Sequence, residues 1–331
     1  MGLLVQPERH LWWTDCPARG KLTPPSRGET ALALRTAPTE RQLRIGFELR
    51  TLRERSGLTV QAAGEVIDMG RVHLTHAENG RTPISAERIR TLCRTYGVTS
   101  STFTDALVSL AESNGKGWWS SHKSQLPASA LDLAELEAEA SGLRLYESLF
   151  LPGLFQVEGY TRAIFEASDT VSSAAEIDTA VRFRQERQCV LTAERPPYVH
   201  AVIHEAALHM RFGGAEVMHQ QLLKLVELSE LPHVDIQIMP FTAVAVSALT
   251  TPFCHIASHD SALETVLLEH PAQSMFLHEE GTLAKYRRQF ERLRAAALPA
   301  IDATVIPVKH AARDSLGLVQ HVLYTLQGAQ A

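Results

Sequence analysis

The sequence predicts an α+β protein: an all-α helix-turn-helix N-terminal domain followed by a larger mixed α/β domain with a small sheet. Three observations predict it. Residues 41–112 read as helix almost throughout, with apolar positions at helical spacing and glycine or hydroxyl caps between segments. The run Asn114-Gly115-Lys116-Gly117 then breaks the pattern. Beyond it, helical stretches alternate with short runs rich in Val, Ile and Phe.

Residues 1–40 hold Pro7, Pro17, Pro24, Pro25 and Pro38 among polar neighbours without periodicity, and are expected to be a disordered leader. Ile45, Leu49 and Leu52 form one apolar stripe of a first helix, which Gly57 stops. Thr59 can cap a short second helix, and a tight turn at Asp68–Gly70 leads into a third that runs through Glu78. Asn79 and Gly80, which tolerate positive φ, end it. Ser85 caps a fourth helix with Ile89, Leu92 and Cys93 inward, stopping at Gly97, and a fifth covers about 101–112. The domain boundaries follow: reader 41–113, regulatory or partner-binding domain 117–310, and C-terminal tail 311–331. Within the larger domain the expected helices are about 131–147, 157–168, 174–192, 214–229 and 279–297. The expected strands are 198–203, 234–239, 252–256 and 265–268.

The totals bound the function. The 331 residues suffice for two domains, and no apolar run approaches the ~18–20 residues of a spanning helix. Glu8 and Arg9 interrupt the N-terminus where a signal peptide would be apolar, so the expected location is cytoplasmic, with no membrane partner. Cys16, Cys93, Cys189 and Cys254 form no CxxC pair and read as reduced thiols. Net charge is −5, but residues 41–100 hold ten arginines, no lysine and six acidic residues, a local +4 that leaves −9 elsewhere. A basic segment on an acidic body is the electrostatic footprint of a local nucleic-acid contact.

Residues 49–81, LRTLRERSGLTVQAAGEVIDMGRVHLTHAENGR, concentrate the functional signal. Two short helices joined by a tight turn let the second lie in a major groove and present its N-terminal half to base edges. Ala63 and Gly64 supply small residues where the helices cross, and Leu74 and Ala77 turn inward as anchors. Arg71, Val72, His73, Thr75 and His76 then face outward or sideways. Arg71 suits bidentate pairing with guanine, and Val72 suits a thymine methyl group. Thr75, His76 and, just beyond the helix, Arg81 suit phosphate. Thr59 and Gln61 at the start of the preceding helix complete the candidate DNA-contacting set.

Leu58, Thr59, Glu78, Asn79 and Gly80 resemble the pattern of the xenobiotic-response-element (XRE), lambda-repressor-like helix-turn-helix family. Gly117-Trp118-Trp119, LEAEASGLRLY at 136–146, LPGLFQ at 151–156 and KYRRQFERLRAAA at 285–297 extend the resemblance to an antitoxin-like, developmental-regulator branch with a C-terminal domain of unknown function. The resemblance implies a transcription regulator that binds an operator in double-stranded DNA as a homodimer and meets a small protein partner encoded nearby. Four residues depart from the family pattern: Asp68 stands at the usual turn glycine and Gly70 at the usual hydroxyl cap. Gly64 stands at the usual alanine, at a helix cost of up to ~1 kcal/mol, and His76 where arginine is frequent.

The zinc-protease reading fails on spacing, and a second possible metal cluster reads more readily as ordinary surface. In His204-Glu205-Ala206-Ala207-Leu208-His209 the imidazoles are five residues apart, ~500° around a helix, so they diverge by ~140° and cannot share one zinc. Phe253, His255, Ala257 and His259 share a strand face beside Asp260, and His270, His278, Glu279 and Glu280 follow; these read as polar strand ends. There is no GxSxG, Walker A or GxGxxG. Gly213-Gly214 reads as a loop before a helix, Trp118-Trp119 as packing between domains, and LPGLFQ as a buried turn that could line a pocket in a sensor. The expectation is a regulator without enzyme activity or cofactor. The alternative is a ligand-binding protein or enzyme on a regulator frame with a degenerate DNA reader.

Overall fold

The computed structural model describes residues 38–168, 173–243, 250–269, 274–304 and 314–327. The leader expected at 1–40 falls, but for its last three residues, outside them. Five helices build the first unit: α1 (Glu40–Arg55), α2 (Val60–Val66), α3 (Arg71–Glu78), α4 (Ala86–Thr95) and α5 (Ser101–Glu112). All but α3 start on a hydroxyl that accepts an orphan backbone N–H: Thr39, Thr59, Ser85 and Ser100. Gly57, Gly80 and Gly97 take positive φ at the ends of α1, α3 and α4. Leu49, Ala63, Leu74, Ile89, Leu92 and Leu107 are fully buried in one core, as their spacing requires.

The second unit runs α6 (Ala128–Ala138), β1 (Gly142–Glu147), α7 (Glu158–Glu166), α8 (Ala174–Arg187), β2 (Tyr198–His204), α9 (Glu205–His209), α10 (Gly214–Leu228), β3 (Val234–Met239), β4 (Phe253–Ala257), β5 (Thr265–Leu268), β6 (Met275–Leu277), α11 (Glu280–Ala296) and α12 (Ser315–Gln327). Its six-stranded mixed sheet has the order β3-β2-β1-β4-β5-β6. β1, β2 and β3 are parallel; β4, β5 and β6 continue antiparallel. The parallel half carries helical crossovers, as parallel neighbours require. Leu143, Val199, Ala201 and Ile236 pack against Leu222 and Leu225 of α10 and Val319 of α12. Tyr146, Val202 and Val266 pack against Leu283, Phe290 and Leu293 of α11. Both faces are covered, so the strands are apolar runs more than alternations.

Three expectations are corrected. The helix expected over 131–147 stops at Ala138, and Gly142–Glu147 is the strand that joins the parallel half to the antiparallel half. LRLYE is made mostly of helix formers, but pairing on both sides and full burial of Leu143 and Tyr146 override that preference. Of the tail expected at 311–331, the described residues 314–327 are not merely a tail, because α12 places Leu316, Val319, Val322 and Leu326 in the main core. Trp118 and Trp119 pack with Leu131, Ala134 and Phe183, all of the second unit, and not between units.

The core role of α12 is measurable. Leu316→Ala, at a 5% exposed position, should cost about 2–5 kcal/mol. Tyr324→Ala, 76% exposed on the same helix, should stay within about 0.5 kcal/mol. Chemical denaturation compares the two, and equal effects would show that α12 does not dock.

Candidate nucleic-acid interface

Helix α3 is positioned from behind by α1. A Cβ at Gly46 would lie 2.5 Å from the Glu78 carbonyl oxygen, so the close approach of α1 to the end of α3 needs glycine there. Gly80, at φ 68°, fits against the backbone of Gln42 and Leu43. A buried ion pair locks the contact. Arg53 donates from Nε and Nη2 to the Glu78 carboxylate at 2.6 and 3.0 Å, and from Nη1 to the Leu58 carbonyl at 3.0 Å. The Glu78 hydrogen bond pushes the Arg53 guanidinium up. Burial also pushes the neighbouring Tyr96 hydroxyl up, and that hydroxyl has no hydrogen-bond partner among the described residues.

The turn between α2 and α3, with the end of α2, holds three of the four departures from the helix-turn-helix pattern that the sequence resembles. Asp68 takes φ 49°, the left-handed geometry its position was expected to demand. Gly70 gives α3 no side-chain cap, and a Cβ there would meet nothing nearer than His73 Nδ1 at 3.9 Å. The expected weakness at Gly64 is corrected. A Cβ there would collide with the Met69 carbonyl oxygen, so glycine is what lets the turn fold back over α2.

Leu74 and Ala77 are buried, and Arg71, Val72 and His73 stand exposed at the start of α3, with Val72 65% accessible. Thr75 and His76 are half-buried. The Thr75 hydroxyl donates to the Arg71 carbonyl at 2.9 Å, and the Thr59 hydroxyl accepts from Ala62 N at 3.1 Å, so both already serve the backbone. Gln61 is exposed and donates to Glu65 at 2.8 Å. Arg81 is exposed just past α3. The fold thus brings Arg71, Val72, His73, Thr75 and His76 onto one short helix, with Thr59 and Gln61 leading the helix before it.

The arginine excess divides by use. Arg41, Arg44, Arg50, Arg53 and Arg90 pair with Glu135, Glu48, Glu54, Glu78 and Asp105. Among the described residues Arg55, Arg71, Arg81, Arg88 and Arg94 form no salt bridge, although Arg55 acts on Glu48 at longer range. Sequence reasoning missed the structural members, Gly46, Arg44 and Arg53. A glycine inside a helical stripe was the available signal for Gly46; nothing in the pattern separates buried from exposed arginine.

The other histidine constellations resolve into structure. His204 caps α9 by accepting from Ala206 N, and His209 ends that helix. His255 is buried between Arg144 and Glu264, and His278 sits between Arg44 and Glu40. His270 lies outside the described residues, among which no three His, Cys, Asp or Glu side chains converge as metal donors.

Residues 130–306 match the model of a family described as a domain of unknown function (DUF5753), more than half of the chain. The chain belongs to that family. Residues 44–106 match the model of a helix-turn-helix domain, which spans α2, α3 and their turn and supports DNA binding. No curated protein and no solved structure matches the chain. No helix among the described residues is long and apolar enough to cross a membrane.

The turn geometry sets two opposed expectations. Asp68→Gly should stabilise by up to about 1 kcal/mol by relieving left-handed backbone, and Gly70→Ser by a few tenths by capping α3. Gly64→Ala should destabilise, although helix preference alone predicts a gain of about 1 kcal/mol. Thermal denaturation reads all three, and a stabilising Gly64→Ala would refute the carbonyl contact.

Proposed function

We propose that the chain is a sequence-specific, DNA-binding transcription regulator of the XRE, antitoxin-like type. The observation that carries this reading is the start of α3, where Arg71, Val72 and His73 stand uncovered on a helix pinned from behind by a buried ion pair. A large apolar side chain between two polar ones suits a major groove, where a guanine edge, a thymine methyl and phosphates lie within one helix turn. The DUF5753 domain acts by binding and not by catalysis: it dimerises the chain, holds an effector, or takes up a small partner protein.

Electrostatics supports the division of labour. The chain outside residues 41–100 carries −9 and repels DNA, so attraction comes from the local +4 of the reader. A homodimer would place two α3 helices on half-sites about 34 Å apart and call for a near-palindromic operator. The protein works in the cytoplasm, where its operator is. A footprint on the promoter of its own gene, at nanomolar protein, tests the reading directly. No protection there or on any selected sequence, together with turnover of a small molecule, would favour an enzyme with a degenerate reader.

Two substitutions separate base reading from phosphate contact. Arg71→Ala should cost about 1–3 kcal/mol at the operator and relax preference at one base pair. Arg81→Ala should weaken every sequence alike and lower the salt slope by about one. Fluorescence anisotropy on operator and scrambled duplexes distinguishes them. An Arg71→Ala protein with unchanged affinity and preference would remove α3 from the groove.

A further inference from the structure

The LPGLFQ turn lines a half-open cavity of about 230 Å3 bounded by α6, α7, α8, β1, β4 and β5. Leu133, Leu145, Ile164 and Leu267 give it apolar walls, and five charged side chains enter it: Glu137, Glu147, Glu269, Arg184 and Arg187. The charges do not cancel. Glu137 engages Arg187 bidentately at 2.7 and 3.0 Å. Arg184 lies 4.6 Å from the centre of the Phe165 ring and donates to Gln156 Oε1 at 3.1 Å. Neither Glu147 nor Glu269 forms a hydrogen bond or ion pair among the described residues. A half-buried carboxylate, Glu147, and an exposed one, Glu269, therefore face the space without salt-bridge partners, with the single guanidinium of Arg184 acting on both at longer range.

We propose that this cavity binds a compact organic ammonium ion, its head between Glu147 and Glu269 and its apolar body against Leu133, Leu145 and Leu267. A cation relieves the repulsion between the two carboxylates; a neutral guest leaves it and an anion adds to it. The volume lies below the ~300–1,000 Å3 of sites for drug-sized ligands, which limits the body to a few carbons. The electrostatics of the site agrees. Burial pushes the Glu147 carboxyl up to about 8, Glu269 adds to the shift and Arg184 opposes it. Burial also raises the Cys254 thiol well above its usual range, so it stays neutral.

A cation favours the carboxylate, so binding expels the proton that Glu147 holds below about 8. The groups around it are Glu269 beyond β5, Arg184 and Arg187 of α8, Glu137 of α6, Cys254 of β4, Tyr160 of α7 and its neighbour Tyr146. Alkyl ammonium groups titrate near ~10. Affinity should therefore rise with pH up to about 8 and then level. The site deepens the effector role proposed above and rests on that reading only for its regulatory consequence, since binding is measured without DNA.

Calorimetry on the full chain with isopentylamine, isopentanol, isovalerate and leucine, four probes sharing one branched skeleton, tests the head group. The amine should bind at least about tenfold more tightly than the alcohol, and isovalerate more weakly than either. E147Q should abolish that preference while the melting temperature holds or rises, because a half-buried carboxylate facing a second one is gone. Leucine tighter than the amine would support the site with Arg184 as carboxylate partner; leucine weaker would support it for simple amines. Heat from none of the probes at millimolar concentration, a preference for alcohol or isovalerate, or an E147Q protein that keeps the amine preference would overturn the proposal. If E147Q fails to fold, the native chain decides: amine affinity independent of pH below about 8 overturns it.

Discussion

A guanidinium taken out of water decides how the two halves of this chain are joined. Arg44 leaves α1 and enters the seam with the sheet domain. There its Nη1 donates to the Glu264 carbonyl and faces His278 Nδ1, while its Nη2 donates to the Ala262 carbonyl and pairs with Glu48. Four of its five N–H groups have acceptors; Nε has none among the described residues. Burial lowers the Arg44 pKa and raises that of Glu48, and each charge opposes the other's shift. A buried charge that loses its acceptors costs several kcal/mol, so α1 and the 262–264 carbonyls hold each other in place. Leu263, from that same turn, is buried in the core of the helical unit.

The seam also fixes two imidazoles. Arginine can only donate, so His278 Nδ1 accepts and its Nε2–H points to Glu40. The same order recurs with Arg144, His255 and Glu264. Glu264 belongs to both relays, through its carbonyl to Arg44 and its carboxylate to His255. Arginine thus does two jobs in the helical unit. Arg44 and Arg53 are spent on architecture, and Arg71 and Arg81 keep their charge at the surface. The local positive charge of the sequence is real, but less of it is available than the count suggests.

Much of this was legible in the sequence because it is local. Caps, left-handed turn positions and the Ile45, Leu49, Leu74 and Ala77 anchors follow from spacing and backbone chemistry, and they located all five helices of the reader. Four of the six strands were legible as β-branched and aromatic runs. β1 was not, because Leu-Arg-Leu-Tyr-Glu states no preference strong enough to outweigh pairing partners that lie over fifty residues away. α12 was missed for a similar reason: its apolar stripe has no meaning until the β3 face it covers exists. Long-range polar contacts were the least legible. Glu147 and Arg184 are 37 residues apart, and nothing local marks them as neighbours of one cavity.

Helix α6 joins these separate pieces. Glu135 accepts from Arg41 of α1 at 2.7 Å, and Glu137 holds Arg187 on the cavity wall. Two residues along a helix are ~200° apart, so the two carboxylates leave α6 on opposite sides, one toward the reader and one toward the cavity. Both pairs are largely shielded from water, so neither exchanges freely with solvent as an exposed pair does. One eleven-residue helix thus carries a contact to α1 and a contact to the cavity wall. Arg41 sits three residues before Arg44 on α1, one turn from the guanidinium that fixes the seam. The cavity and the reader therefore share one helix, held at each side by a shielded ion pair.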